Sequence, residues 1–257
     1  MKQIPIHDVD TRRRYVVPGD RQTTIQYSTE NFVRLAQEAI SERGAFSVAL
    51  SGGSTPKAIF DLLACAPYKS QVDWKKVWLF WSDERCVPYE HPDSNYRMAM
   101  TWGLGSLGIP KEQIFPMPVS TLKDEKLAAD LESKAVIYEK TLKTLLKEGL
   151  LDLVMLGMGD DGHVASLFPG TQALQEQSQW VKANDVPQKS VWRMTLTFPA
   201  INASRHIVVD VQGSGKAEMV KKVLFPSHSE EWYPAQDVGT PDSPALWILD
   251  RDAAGRI

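Results

Sequence analysis

Between positions 157 and 163 the chain reads Gly-Met-Gly-Asp-Asp-Gly-His, packing Asp160, Asp161 and His163 among three glycines. Imidazole ordinarily titrates near neutral pH, and a carboxylate two residues away can orient it or bias its protonation. His163 is therefore the candidate general base and Asp161 its orienting partner. A lone histidine is commonly structural, but this grouping of acids and glycines suits proton transfer better than a core. The chain has no GxSxG elbow for a serine nucleophile and no HExxH helix for zinc. The same glycines match GxGxxG literally. Two carboxylates inside the turn would nevertheless repel a pyrophosphate, and Pro169-Gly170 leaves no room for the long helix a dinucleotide site needs.

Anion binding points to other stretches. The run SGGSTP, 51–56, lies between an apolar segment and an amphipathic one. Gly52, Gly53, Ser54 and Thr55 would there aim backbone N–H groups and a positive helix end at one point, as phosphate binding requires. The rival is a tight turn with no ligand. Gly213-Ser214-Gly215-Lys216 resembles a P-loop only in part: Asp210 occupies the first glycine position, and Ala217 stands where a magnesium-binding hydroxyl belongs. Lys216 remains a candidate point charge for phosphate at a helix start, against the plainer reading of a surface lysine. Asp83-Glu84-Arg85 places three charges where an apolar run has just stopped, in either a site or a solvated loop.

These segments need strands and helices to position them. Short apolar runs at 46–50, 77–81, 153–156, 206–211 and 245–249 read as buried strands, with a further short strand expected at 180–183. Residues 193–197 alternate with period two, as a half-exposed strand does. Residues 1–27 read as extended chain at a sheet edge, after which Ser28 is the expected N-cap of a helix closed by Gly44. Further helices are expected after Pro56, from Ser94-Asn95 to about Leu104, over 124–147, and after Lys216. Strands alternating with helices predict an α/β fold with a mainly parallel sheet and helices on both faces, in one domain spanning 1–257.

Composition narrows the class. Of 257 residues, 43% are hydrophobic and 24% charged, an ordinary globular balance, and the net charge of −3 offers no basic excess for nucleic acid. Cys65 and Cys86 are too few for a disulfide framework and lack zinc-ligand spacing, and Cys65 is expected to be a small core residue in a helix. With no signal-like N-terminus and no apolar run of spanning length, the expected location is cytoplasmic, with no membrane partner.

Taken together, SGGSTP at 51–56, DERCVP at 83–88, HPDSNYR at 91–97, LGMGDDGHVASLFPG at 156–170, RMTLTFPAIN at 193–202, GSGKA at 213–217 and ALWILDRDAA at 245–254 resemble one family. It is the 6-phosphogluconolactonases of the short bacterial and eukaryotic type, which are related to glucosamine-6-phosphate deaminase. Each glycine motif is weak alone; their order across most of the chain is specific. Val164 stands where the family usually has Thr, and Ser204 where Ala often precedes the arginine. Related deaminases usually carry an aromatic residue where this chain has Arg85, which favours the lactonase branch.

The resemblance implies a three-layer sandwich with a modified Rossmann-like sheet, as in glucosamine-6-phosphate deaminase and ribose-5-phosphate isomerase. It implies hydrolysis of 6-phospho-D-glucono-1,5-lactone to 6-phospho-D-gluconate in the oxidative pentose phosphate pathway, with no metal or organic cofactor. The expected partner is a small sugar-phosphate lactone, and the expected assembly a monomer or small homo-oligomer. On this reading the phosphate docks on the backbone around Gly53–Thr55, helped by Arg193 and Lys216. Asp83 and Arg85 complete the binding set, with Arg85 on either the phosphate or the sugar hydroxyls. His163 takes a proton from water as it attacks C1, and backbone N–H groups of the glycine turn are candidate donors to the oxyanion. The alternatives are a glucosamine-6-phosphate deaminase or isomerase, and a non-catalytic sugar-phosphate-binding module.

Overall fold

The computed structural model describes residues 4–120, 122, 124–227 and 231–257. Among the described residues, ten strands form two sheets. The large sheet contains β1 (Ile6–Asp8), β2 (Arg13–Val16), β3 (Phe46–Leu50), β4 (Val77–Trp81), β6 (Leu153–Leu156), β9 (His206–Val211) and β10 (Ala245–Leu249). The small one contains β5 (Asp83–Arg85), β7 (Val181–Val186) and β8 (Val191–Leu196). The strand order is β1-β2-β10-β9-β6-β3-β4, parallel throughout except for the antiparallel edge strand β1. The buried apolar runs read from the sequence are five of the seven strands of this sheet, because a parallel strand covered on both faces has little polar side to alternate with.

Helices cover both faces. Helix α1 (Arg21–Arg43) lies against one, where Phe32 meets Phe46 edge-on at 5.3 Å between ring centroids, and α2 (Ser54–Leu63) packs beside it. On the other face Phe115 stacks on Trp78 and Phe80, and Tyr138 of α4 (Leu127–Leu145) donates to the Phe115 carbonyl at 2.9 Å. Helices α3 (Asn95–Thr101), α5 (Phe198–Asn202) and α6 (Ala217–Leu224) complete the set. This is the mainly parallel α/β fold the sequence implies.

Three local expectations are corrected. Helix α1 starts at Arg21, capped by Asp20, whose carboxylate accepts from the Thr23 N–H at 2.9 Å, about two turns before Ser28. The buried face of those turns includes Thr24, Ser28 and Thr29, so hydrophobic periodicity understates it. Cys65 is exposed just beyond the end of α2 rather than packed in the core. Asp83–Arg85 is neither a solvated loop nor part of the parallel sheet: it is strand β5, pairing antiparallel with β8. Its charged composition concealed it as a strand, and the small sheet with it.

The chain leaves β3 towards β4 on one side of the large sheet, while β6 and β9 lie on the other. The boundary between β3 and β6 is thus a switch point, and the crevice at the carboxyl ends of strands there is where open α/β sheets bind ligands. SGGSTP follows β3, and the glycine-rich loop follows β6.

Candidate active site

A cleft of about 280 Å³ opens at this switch point. Its walls come from three places: the turn after β3 (Ser51, Gly52, Gly53), the loop after β6 (Gly157–Gly159, His163, Ala165, Ser166, Phe168), and the small sheet with its neighbours. The last group supplies Asp83, Arg85 and Arg193 from β5 and β8, Asn95 from α3, and Lys189 from the turn between β7 and β8.

The imidazole is fixed on two sides. His163 Nδ1 lies 2.5 Å from Asp161 Oδ1, and the same oxygen accepts the His163 backbone N–H at 3.2 Å. Phe168 stacks on the ring at 3.9 Å between centroids. With Nδ1 engaged by Asp161, Nε2 is the nitrogen left for chemistry. Burial raises the Asp161 carboxyl, but the hydrogen bond and charge of His163 outweigh it and hold the group at about 2, so it stays ionised. The turn needs glycine at 159: a Cβ there would fall 2.0 Å from His163 Nδ1 and 2.6 Å from Asp161 Oδ1. The next helical element after the turn is a short 3-10 turn at Gln172–Gln175.

The wall from the small sheet is cationic. Arg85 and Arg193 are cross-strand partners in β5 and β8. Arg85 Nη1 donates to the Asp93 carbonyl at 2.5 Å, while the Nε of each arginine is buried without a partner. Burial lowers the Arg193 pKa, the Asp83 charge opposes that, and Arg85 adds to it. Like charges on paired positions, each with an unpartnered Nε, invite an anion. Two carboxylates brace the wall, Asp83 within its lining and Glu84 in the interior. Asp83 accepts from Ser166 Oγ at 2.7 Å and from Asn95 Nδ2 at 3.2 Å. Glu84, fully buried, accepts three backbone N–H groups (Arg85, Asn95 and Tyr96, each at 2.8 Å) and the Ser94 hydroxyl at 3.1 Å, tying β5 to the start of α3. Burial pushes Glu84 above the ordinary carboxylate range, against those hydrogen bonds.

At Gly52 a Cβ would sit 2.0 Å from Asn95 Oδ1, so the β3 turn and α3 meet only because that residue is glycine. Helix α2 begins at Ser54 with no side-chain cap, leaving N–H groups of its first turn for a ligand or water.

Of the site residues expected from sequence, Gly52, Gly53, Asp83, Arg85, His163 and Arg193 line one cleft. Asp161 stands behind His163. Ser54 and Thr55 open α2 but do not line the cleft. Lys216 is outside the lining too: its Nζ pairs with Asp160 Oδ1 at 2.5 Å. The N–H groups of Gly159 and Gly162 are spent within the turn, on the carbonyls of His163 and Gly159. Lys189, Asn95 and Ser166 line the cleft as well, beyond the residues the sequence points to. Lys189 is an exposed turn lysine with no sequence signal, whereas Asn95 and Ser166 sat inside recognised motifs and only the contacts separate them from their neighbours. Among the described residues no three His, Cys, Asp or Glu side chains converge as a metal site would require.

Comparison with known proteins places the chain in a family. Residues 19–247 match the family model described as glucosamine-6-phosphate isomerases/6-phosphogluconolactonase. A 6-phosphogluconolactonase of Chlamydia muridarum is 38% identical over 239 residues, covering 93% of this chain and 88% of that protein. A probable chloroplastic 6-phosphogluconolactonase 3 of Oryza sativa subsp. indica is 41% identical, over 87% and 70% of the two chains. The 6-phosphogluconolactonase structure from Trypanosoma brucei superposes with a TM-score of 0.83 at 28% identity, over 95% of this chain and 98% of that one. A monomeric glucosamine-6-phosphate deaminase shares the fold, with a TM-score of 0.77 at 19% identity over 95% and 99% of the chains. With a family model spanning both glycine-rich turns, both cleft arginines and the imidazole between them, this chain belongs to the glucosamine-6-phosphate isomerase/6-phosphogluconolactonase family.

Proposed function

We propose that this chain hydrolyses 6-phospho-D-glucono-1,5-lactone to 6-phospho-D-gluconate, with His163 as general base. The observation that carries the reading is one cleft holding a carboxylate-backed imidazole and, on its other wall, a cross-strand pair of arginines with unpartnered donors. Relatives at 38–41% identity that bear the lactonase name support it, as does the arginine at position 85.

The phosphate docks where the Gly52–Gly53 turn meets Arg193 and Arg85, with Lys189 at the mouth. The cleft supplies three cations for it, so Lys216, held by Asp160, becomes a secondary contact at most. Binding the remote phosphate holds the ring for attack, where catalysis of an already reactive ester gains most. Nε2 of His163 then takes a proton from a water whose oxygen bonds to C1. Collapse of the tetrahedral adduct breaks the bond from C1 to the ring oxygen, and the imidazolium returns its proton there. Asp161, ionised throughout, keeps Nδ1 protonated and the ring in place. The reading carries with it a single domain acting in the cytoplasm as a monomer or small homo-oligomer without metal or organic cofactor.

The test offers the purified protein fresh 6-phosphogluconolactone and, separately, glucosamine 6-phosphate. Acid release above the spontaneous rate, with no ammonia from the amino sugar, is the expected result. Ammonia release with no gain in lactone hydrolysis would replace this reading with the deaminase one.

A further inference from the structure

The His163–Asp161 pair is partly exposed, at 25% and 40% of the two side chains, and it stands on a loop without helix or strand. Such a site works only if its support is rigid. That support comes from the small sheet. Ser166, three residues past the imidazole, is fixed at every polar group: its N–H donates to Thr195 Oγ1 at 3.1 Å, its hydroxyl to Asp83 Oδ2 at 2.7 Å, and its carbonyl accepts from Asn184 Nδ2 at 2.8 Å. Between His163 and Ser166, Ala165 takes a φ of 48°, a left-handed conformation that a side-chain-bearing residue keeps only when its surroundings impose it.

Asn184, on β7 and 1% exposed, does more than hold Ser166. Its Nδ2 also donates to Thr171 Oγ1 at 3.0 Å, and its Oδ1 accepts the Ala173 N–H at 3.3 Å. One buried amide thereby ties both ends of the 166–173 turn. Thr171 Oγ1 in turn donates to the Phe168 carbonyl at 2.8 Å, and the Phe168 ring is the one stacked on His163. Asn184 is also the cross-strand partner of Arg193, so one strand pair carries both a cleft cation and the support of the base.

We infer that Asn184 is a positioning residue for the reaction: by clamping Ser166 and Thr171 it seats Phe168 against His163 and fixes the imidazole. The inference rests on the proposed lactonase reading with His163 as base. Its test is Asn184→Ala, followed by kinetics on 6-phosphogluconolactone and by NMR of the His163 ring protons, which feel the ring current of Phe168. We expect kcat to fall about tenfold or more, as small misplacements of catalytic groups do. KM should stay within about threefold, because the cationic wall remains. The His163 ring resonances should move, and Phe168→Leu should reproduce both the movement and the direction of the kcat loss. Should Asn184→Ala fail to fold, Thr171→Val, which removes one partner of the amide, takes its place with the same expectations. A folded variant with wild-type kcat, a change in KM alone, or a loss of kcat with unmoved His163 resonances would overturn the inference. Absence of lactone hydrolysis by the wild-type protein would instead refute the functional reading, while the resonances would still judge the clamp.

Discussion

At the scale of residues, the proposed chemistry depends on close approaches. Gly159 is the sharpest case, since any side chain there collides with both members of the dyad. Gly159→Ala is expected to lower kcat by about 10²-fold or more while the circular dichroism spectrum stays native, because only the imidazole and its carboxylate must shift. The arginine pair gives a second prediction. Arg193→Gln should raise KM for the phosphorylated lactone about tenfold or more, the worth of a charge-assisted hydrogen bond, and leave KM for unphosphorylated gluconolactone nearly unchanged. Lys216→Ala should move KM less than Arg193→Gln does, since Lys216 faces Asp160; the reverse order in steady-state kinetics would return the phosphate to Lys216. The dyad was legible in the sequence because its partners are two positions apart. The pairing of Arg85 with Arg193 was not, because it is made by strand register between distant segments, and neither was Asn184, whose surroundings in VKANDV carry no motif.

At the scale of elements, α1 and β9 meet through one buried polar contact, the Ser28 hydroxyl donating to Asp210 Oδ1. Burial lifts the Asp210 carboxyl to about 7, and the Ser28 hydrogen bond only partly opposes it. The folded state therefore holds this proton where the unfolded chain, with a carboxyl near the ordinary 3.8, has released it. The contribution to stability is greatest below about 4 and is lost as pH rises towards about 7. Asp210→Asn cannot ionise, so between pH 5 and 8 it should lose on the order of 2–3 kcal/mol less stability than the wild type in urea titrations. Parallel pH dependence in the two proteins would show that Asp210 ionises freely in the fold. The same contact explains why the start of α1 was misread: its first two turns bury hydroxyls against the sheet, and a search for apolar periodicity passes over them. Five strands of the parallel sheet, β3, β4, β6, β9 and β10, were legible for the opposite reason, being mostly apolar, while β5, written in charges, was not.

At the scale of the whole molecule, two sheets divide the work. The parallel sheet presents its switch point, with the turn proposed to bind the phosphate after β3 and the loop carrying His163 after β6; the antiparallel sheet lines the cleft with its arginines and braces that loop. The parallel half could be read from alternating strands and helices, whereas the antiparallel half exists only through long-range pairing. The account's central claim is that His163 removes the proton from the attacking water. The measurement closest to it is the initial rate of acid release from fresh 6-phosphogluconolactone, above spontaneous hydrolysis, by wild type and His163→Ala. The account predicts that the folded variant loses about 10²–10⁴-fold in kcat, the usual worth of a general base, with KM little changed. Turnover close to that of the wild type would contradict it.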